Sequence, residues 1–424
     1  MTMFLMILLY IVLTIIRPQD YMPGLANVPL LIVVQVLAFA SWLGSKAKTF
    51  AAPQFVLLPL FLLAMMASEV ATGWFGGSIE QLRQFGPAVV AFFVLAAAAS
   101  SSPRHVRTIF AVFALCTTVL ALHGVDQIRH GVGWTGMPLD KDHRIRYVGI
   151  FNDPNDLGLL FVSILPMAVY LSAGGGLLRR LFWLTCAALI LYGIYLTNSR
   201  GTMLAVAVIF GVYLWMKRGK LTALVFGGVG FLAMRLIKTR FQDLEASGES
   251  ATGRIDAWYA GIHMFLSHPL LGVGVGNFTD YNYLTAHNSL VLVLAETGFV
   301  GYTLWLAFVG YGFWMMVNIL RHQPDLDADD ELGVLAWRQE QSIAFTLLLC
   351  LCGMFAAAFF LSRSYIILVY LLAAVVVGTY VGCQQRFHDL PRVSLADSWW
   401  RWPPIAMASI AVLYVIVKVL LRSA

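Results

Sequence analysis

The chain has 424 residues, of which 60% are hydrophobic and only 12% are charged, and this composition excludes a water-soluble globular protein. The formal net charge of +6 does not indicate nucleic-acid binding, because basic cytoplasmic loops and the attraction of anionic membrane lipids account for the excess of cations.

Apolar runs recur along the whole chain and mostly reach the roughly 17–25 residues that a membrane-spanning helix requires. We therefore predict an all-α, polytopic transmembrane bundle of about 12–13 spans, with 1–424 forming a single integral membrane domain. The predicted spans are 3–16, 28–44, 55–71, 86–100, 106–124, 156–176, 180–197, 201–216, 220–237, 289–320, 342–361, 365–382 and 404–421.

Basic residues in alternate, short connections set the predicted orientation of the bundle. They are Lys46, Lys48, Arg104, Arg107, Arg179, Arg180, Lys217, Arg218, Lys220 and Arg321. Because short cytoplasmic loops carry an excess of lysine and arginine, these connections and the N-terminus are predicted to be cytoplasmic. The two long loops, 125–155 and 238–288, then face the outer side together. The second is predicted to contain amphipathic helices and the motifs that carry the chemistry.

Three basic residues near the outer surface are candidates for chemistry. Arg200 lies in a polar break between two apolar runs, Arg254 precedes an amphipathic helical pattern, and His287 directly precedes a span. Taken singly, each arginine has an equally good structural explanation: Arg200 snorkels at a helix end, and Arg254 is a charge on the wet face of an interfacial helix. A lone histidine such as His287 is more often structural than catalytic.

Taken together, the three residues fit glycosyl transfer from a lipid diphosphate. Arginine guanidinium groups match diphosphate oxygens and stay charged at any pH. A neutral histidine can accept the proton of an attacking sugar hydroxyl. The arginines would then stabilise the negative charge that grows on the departing diphosphate.

Several sequence blocks resemble the O-antigen ligase and O-antigen polymerase superfamily. They are Gly-Ile-Phe-Asn-Asp-Pro-Asn (149–155), Thr-Asn-Ser-Arg-Gly (197–201), Gly-Arg-x-x-x-Trp (253–258), His-Pro-x-x-Gly-x-Gly-x-Gly-Asn (268–277) and Ala-His-Asn-Ser-Leu with Ala-Glu-Thr-Gly-Phe-Val-Gly (286–301). The resemblance extends from about 145 to 320. Outside that region only the hydropathy supports it.

The resemblance implies a bacterial inner-membrane enzyme whose active site faces the periplasm. It would move a glycan from undecaprenyl diphosphate to an acceptor hydroxyl with inversion, without a metal or other cofactor. The family's catalytic histidine matches His287, and its two motif arginines match Arg200 and Arg254. Asn288 either orients the imidazole or caps the next helix, and Glu296 is expected to be structural, at a kink that involves Gly298.

Further residues near the motifs have open alternatives. Arg146, together with Arg144, either adds positive potential for the diphosphate or is simply solvent-exposed, and Tyr283 either stacks on acceptor sugars or anchors its loop. Asp153 and Asp156 could hold a divalent ion but are better explained as the turn and N-cap of a span.

The glycine run at 272–276 does not have the context of a nucleotide-binding loop, because no strand precedes it. We expect it to let the backbone turn closely around His287.

The predicted function is therefore a ligase that joins the glycan to a saccharide of a second membrane lipid, such as the lipid A-core. A polymerase that uses another lipid-linked repeat as acceptor, and a protein O-oligosaccharyltransferase, fit the same motifs. A transporter is the alternative from another class, and it is weakened by the few charges within the spans and the absence of an evident inverted repeat.

Overall fold

The structure of the protein is a computed structural model, and it describes residues 2–26, 28–46, 48–227, 248–326 and 330–423. These residues form helices and connecting loops, with no β-strand among them apart from two isolated β-bridges. Eleven of the described helices are long and apolar enough to cross a membrane. The predicted all-α, polytopic membrane fold is confirmed.

The helices of the first half are α1 (Thr2–Ile16), α2 (Leu30–Leu43), α3 (Gln54–Ala71), α4 (Phe75–Ser100), α5 (Pro103–His130), α6 (Pro154–Ser172), α7 (Leu177–Leu196) and α8 (Arg200–Arg218). Those of the second half are α9 (Gly248–Ser267), α10 (Phe278–Tyr281), α11 (Ser289–Arg321), α12 (Glu331–Ala358), α13 (Ile367–Arg386), α14 (Leu395–Ser398) and α15 (Trp402–Ser423).

Two of the predicted spans are not seen as complete membrane-spanning helices in the described residues. Helix α2 has only 14 residues and is shorter than a full span. Of the predicted span 220–237, residues 220–227 are helical, and the remaining ten lie outside the described residues.

Helices α4, α5 and α12 continue furthest past the ends that hydropathy predicts. Helix α4 begins at Phe75 instead of 86, α5 ends at His130 instead of 124, and α12 begins at Glu331 instead of 342. The added turns contain charged residues and glutamines, which lower the hydropathy but are good helix formers. The loop between α5 and α6 therefore spans 131–153 instead of the predicted 125–155.

Helices α4 and α13 pack closely at the centre of the bundle. Both are extensively buried, and the alanine run 96–99 of α4 gives the backbone of α13 room to approach. A Cβ atom on Gly378 or Gly382 would collide with the backbone carbonyls of Ala96 or Ser100. Small residues at such contacts are typical of helix packing in membranes.

Helix α11 is broken at Gly298, whose φ of 61° is non-helical, so the predicted kink is confirmed. The segment from Pro269 to Gly274 satisfies the backbone groups that the break exposes. Phe299 donates its N–H to the Pro269 carbonyl at 2.8 Å, and Gly274 donates to the Glu296 carbonyl at 3.1 Å. Irregular backbone at membrane depth requires such internal partners.

The predicted role of the glycine run was wrong. Gly272 and Gly274 contact the backbone of Glu296 at the break of α11, and not His287. A Cβ atom on Gly272, whose φ is +74°, would collide with the Glu296 backbone carbonyl. Position 272 therefore needs glycine, because two stretches of backbone lie in direct contact there.

The long loops meet at one end of the bundle, which we name the long-loop end. Hydrogen bonds hold the first of them there: Arg144 Nε donates to the Thr197 carbonyl between α7 and α8 at 2.8 Å, and the Tyr147 hydroxyl donates to the Ile16 carbonyl at the end of α1 at 2.8 Å. Gln127, in the added turn of α5, also fixes the loop 131–153 through the Met137 carbonyl at 2.9 Å. This end holds the candidate site.

Candidate functional site

A cavity of about 460 Å³ opens at the long-loop end, and we name it the arginine cavity. Its lining residues are Asp142, Arg144, Asn155, Asn198, Ser199, Arg200, Gly201, Thr202, Arg254, Ile255, Trp258, Ala357, Phe360, Leu361 and Leu420. The structure thus brings together Arg200 and Arg254, the two arginines that sequence analysis singled out, although they lie far apart along the chain.

Positive charge dominates the arginine cavity. Its described lining contains three arginines, Arg144, Arg200 and Arg254, but one carboxylate, that of Asp142. Arg144 is held by hydrogen bonds from its guanidinium group to the Thr197 carbonyl at 2.8 Å and to Asn155 Oδ1 at 2.9 Å.

The guanidinium group of Arg254 lies among other cations. Burial lowers its pKa, and the neighbouring charges of Arg200 and Arg144 lower it further. In the described part of the chain, neither Arg144 nor Arg254 forms an ion pair with a carboxylate. Such a cluster favours an anion.

The N-terminus of α8 adds to the positive potential. Arg200 is the first residue of this helix, and the Ser199 side chain caps it by accepting the Thr202 N–H at 3.4 Å. Asn198, with a φ of 48°, turns the chain into the helix from α7. Because 198–202 line the cavity, the positive end of the helix dipole faces its interior.

One side of the arginine cavity is apolar. Ile255 and Trp258 of α9, Phe360 and Leu361 after α12, and Leu420 of α15 form it. Helices α8 and α15 are both largely exposed on the outside of the bundle. The cavity therefore has a cationic part and an apolar part beside lipid-facing helices, which suits an amphiphile with an anionic head.

His287 lies beside the arginine cavity and is half-buried. Its backbone has a φ of 46°, in the left-handed region, and its N–H donates to Ser362 Oγ at 2.8 Å. Burial lowers the pKa of the imidazole, and the charges of Arg254 and Arg363 lower it further, against the opposing effect of Asp153. The environment therefore favours the neutral imidazole, which is the form that can accept a proton.

Asn288 caps α11. Its side chain Oδ1 accepts the N–H groups of Leu290 and Val291, at 2.9 and 3.1 Å. Of the two explanations that the sequence left open, the structure supports the helix cap.

Arg146 and Tyr283 are not brought into the arginine cavity. Arg146 Nε donates to the Pro138 carbonyl at 3.0 Å, within its own loop. Tyr283 is 78% exposed, and its hydroxyl lies near Gly253, next to Arg254 in the chain. The suggested supporting roles of these two residues stay predictions.

Arg363 is a charged residue of the site that sequence analysis missed. It binds Asp156 through two hydrogen bonds, Nε to Oδ1 at 2.5 Å and Nη2 to Oδ2 at 2.7 Å. Asp156 is thus an ion-pair partner, while Asp153 alone caps α6 by accepting the Asn155 N–H at 2.7 Å. The polar tripeptide Ser-Arg-Ser (362–364) between two predicted spans was the signal that could have identified Arg363.

A second cavity, of about 580 Å³, lies at the same end, and we name it the carboxamide cavity after Gln81, Gln84 and Asn277. Its other lining residues are Met65, Trp74, Glu80, Phe85, Val275, Gly276, Phe278, Thr279, Thr285, Leu292, Glu296, Ser362, Arg363 and Tyr365. The first turns of α4, which hydropathy assigned to a loop, supply one wall of this cavity.

Residues 185–306 match the family model described as O-antigen ligase. This segment runs from α7 into α11 and contains Arg200, Arg254 and His287. The match confirms the predicted superfamily and indicates a multi-pass membrane enzyme of the ligase or polymerase type. No curated protein matched the chain.

Proposed function

We propose that this member of the O-antigen ligase superfamily transfers a glycan from undecaprenyl diphosphate to a hydroxyl of a saccharide on a second membrane lipid, such as the lipid A-core. The observation that carries the proposal is the arginine cavity with His287 beside it. It combines a cluster of guanidinium groups, a helix N-terminus and an apolar wall with a neutral imidazole.

The donor would bind with its diphosphate between Arg200 and Arg254. Guanidinium groups can each offer two N–H donors to phosphate oxygens, and the α8 N-terminus adds further N–H groups. The prenyl chain would leave along Ile255, Trp258 and Leu420 toward the lipid. The cationic part of the cavity thus matches the diphosphate, and its apolar part matches the prenyl chain.

The proposed reaction is an inverting substitution at the anomeric carbon. The acceptor hydroxyl gives its proton to the imidazole of His287 as its oxygen bonds to that carbon. The bond between the carbon and the diphosphate oxygen breaks, and the diphosphate leaves with the electron pair. Arg200 and Arg254 stabilise the charge that grows on the leaving group, while His287 later releases its proton to water.

The proposed chemistry does not use Asp153 and Asp156 as metal ligands. Asp156 is occupied by the bidentate contact with Arg363, and Asp153 Oδ1 caps α6. No group of three or more histidine, cysteine or acidic residues suited to a metal occurs within the described ranges. The guanidinium groups can supply the positive charge that a metal would otherwise provide.

We further propose that the site faces the periplasm of the bacterial inner membrane. The short basic connections, such as Lys46 with Lys48 and Lys217 with Arg218, lie between the helix ends opposite to the long-loop end. Because basic loops stay in the cytoplasm, the arginine cavity would open on the other side.

The proposal can be tested with the purified full-length chain and a defined undecaprenyl-diphosphate oligosaccharide. Lipid A-core, a second lipid-linked repeat and an acceptor peptide would be offered in separate reactions, each with and without a chelator. We expect a product with lipid A-core that is insensitive to the chelator. A product with the repeat or the peptide alone would assign the polymerase or protein-glycosylating activity. The absence of every product would contradict glycosyl transfer.

A further inference from the structure

We infer that the carboxamide cavity is the acceptor subsite, and that it recognises an uncharged part of a saccharide through its hydroxyl groups and ring faces. This inference rests on the proposed function, because it assigns the second substrate of the same reaction.

The carboxamide cavity and His287 share a wall. Ser362 Oγ accepts the backbone N–H of His287 at 2.8 Å and donates to Thr285 Oγ1 at 3.1 Å. Both Ser362 and Thr285 line the carboxamide cavity. The preceding residues of the same segment, Phe360 and Leu361, line the arginine cavity. One short segment therefore separates the two cavities, with the candidate base at its edge.

The polar groups of the carboxamide cavity match hydroxyls better than phosphates. Gln84 Nε2 donates to Glu80 Oε1 at 2.8 Å, so carboxamide and carboxylate groups lie side by side. Sugar hydroxyls both donate and accept hydrogen bonds, as such a mixed set requires. Among the described residues of the lining, Arg363 is the one basic side chain, and Asp156 compensates its charge. A diphosphate would meet the acidic side chains of Glu80 and Glu296 here.

Glu296 and Tyr365 form a buried polar pair in the wall of this cavity. Glu296 is 2% exposed, and its Oε1 accepts the Gly276 N–H at 3.0 Å. The Tyr365 hydroxyl is a polar neighbour of the same carboxyl group. The pair therefore holds the segment around Gly276 in place beside the cavity, as buried polar groups with partners do.

Trp74 lies at the mouth of the carboxamide cavity and is 54% exposed. Phe85 and Phe278 are aromatic residues deeper in the lining, and both are buried. Aromatic faces pack against the apolar C–H faces of sugar rings, while the neighbouring polar groups bind the hydroxyls. The exposed ring of Trp74 and the polar groups of the lining thus offer both kinds of contact that a sugar makes.

The test measures the two substrates separately. The acceptor probe is the glycolipid fraction extracted from cells that lack this protein, and the donor is an undecaprenyl-diphosphate oligosaccharide. Trp74→Ala should raise the KM for the acceptor about tenfold, and Gln84→Ala about fivefold, with the donor KM unchanged. Trp74→Phe should restore most of the loss, because it keeps an aromatic face.

Phe75→Ala is the matched control, because Phe75 is the next residue, is 71% exposed and does not line the cavity. It should leave both KM values as in the wild type. Transfer by the wild type with acceptor KM values unchanged in Trp74→Ala and Gln84→Ala would overturn the acceptor subsite alone. A donor KM that rises as much as the acceptor KM would also overturn it. A wild type that transfers nothing to this fraction would overturn the proposed function and the subsite with it.

Discussion

The two cavities at the long-loop end differ in charge although one segment of chain borders both. The arginine cavity collects guanidinium groups and a helix N-terminus beside an apolar wall. The carboxamide cavity collects glutamines, carboxylates and aromatic rings, and Asp156 compensates the charge of its Arg363. The difference teaches that two adjacent cavities can suit different ligands, an anion in one and a neutral polar group in the other, with His287 at their border.

Replacing His287, which lies at the border of the two cavities, should have the largest effect on the transfer rate. His287→Ala should lower kcat about 10²- to 10⁴-fold, which is the usual contribution of a general base. Both substrates should still bind, because neither cavity is lined by this side chain. The measurement combines steady-state rates with direct binding of labelled donor. His287→Gln, which keeps a polar side chain, should be as slow, and a rate near that of the wild type in either variant would show that His287 is not the base.

Removing charge from the arginine cavity should affect the donor selectively. Arg200→Ala and Arg254→Ala should each lower kcat/KM for the donor about 10²- to 10³-fold, because each removes a stabiliser of the leaving diphosphate. The acceptor KM should change little. Arg129→Ala is the control, since Arg129 is exposed at the end of α5 and lines neither cavity. Equal losses in Arg129→Ala and Arg254→Ala would show a general effect of net charge.

Two glycine substitutions beside the carboxamide cavity should show how much the contact with the α11 break contributes to stability. Gly272→Ala should lower the free energy of unfolding by about 3 kcal/mol, because a Cβ atom there collides with the Glu296 backbone and is strained by the positive φ. Gly276 has a φ of +90° but open space where a Cβ atom would lie, so Gly276→Ala should cost about 1 kcal/mol. Thermal unfolding in detergent measures both. Equal losses would mean that the contact with the α11 break is unimportant.

The pH dependence should sharpen the electrostatic link between the arginine cavity and His287. Burial and Arg254 hold the pKa of this imidazole below its ordinary 6.5. Since the neutral form is the base, the transfer rate should be constant above the lowered pKa and fall as the pH drops through it. Arg254→Gln removes one of the lowering charges and should move this fall to higher pH.

Arg254→Lys keeps the charge and serves as the control for the pH profile. Its normalised rate should fall at the same pH as that of the wild type. A profile of Arg254→Gln that superimposes on the wild-type profile would contradict the coupling between the two residues.

The contents of the two cavities were not equally predictable from the sequence. Arg200 and Arg254 could be identified because permanent cations beside apolar spans are rare and costly. Their convergence could be proposed only from the chemistry, because nothing in either segment encodes its distance from the other.

The carboxamide cavity escaped prediction because its polar residues resemble an ordinary helix end. Glu80, Gln81 and Gln84 lower the local hydropathy, so the span was placed from 86 onward, although α4 begins at Phe75. Arg363 was missed because its partner Asp156 is 207 positions away in the chain. The helical fold itself followed from hydropathy, which is a local property; these contacts depend on tertiary packing.

The most direct test of the central claim is a cryo-electron microscopy structure of the chain with a bound undecaprenyl-diphosphate oligosaccharide. We predict that the diphosphate lies within hydrogen-bonding distance of the Arg200 and Arg254 guanidinium groups, with the first sugar next to His287. Density for the diphosphate in the carboxamide cavity, or at the opposite end of the bundle, would contradict this placement.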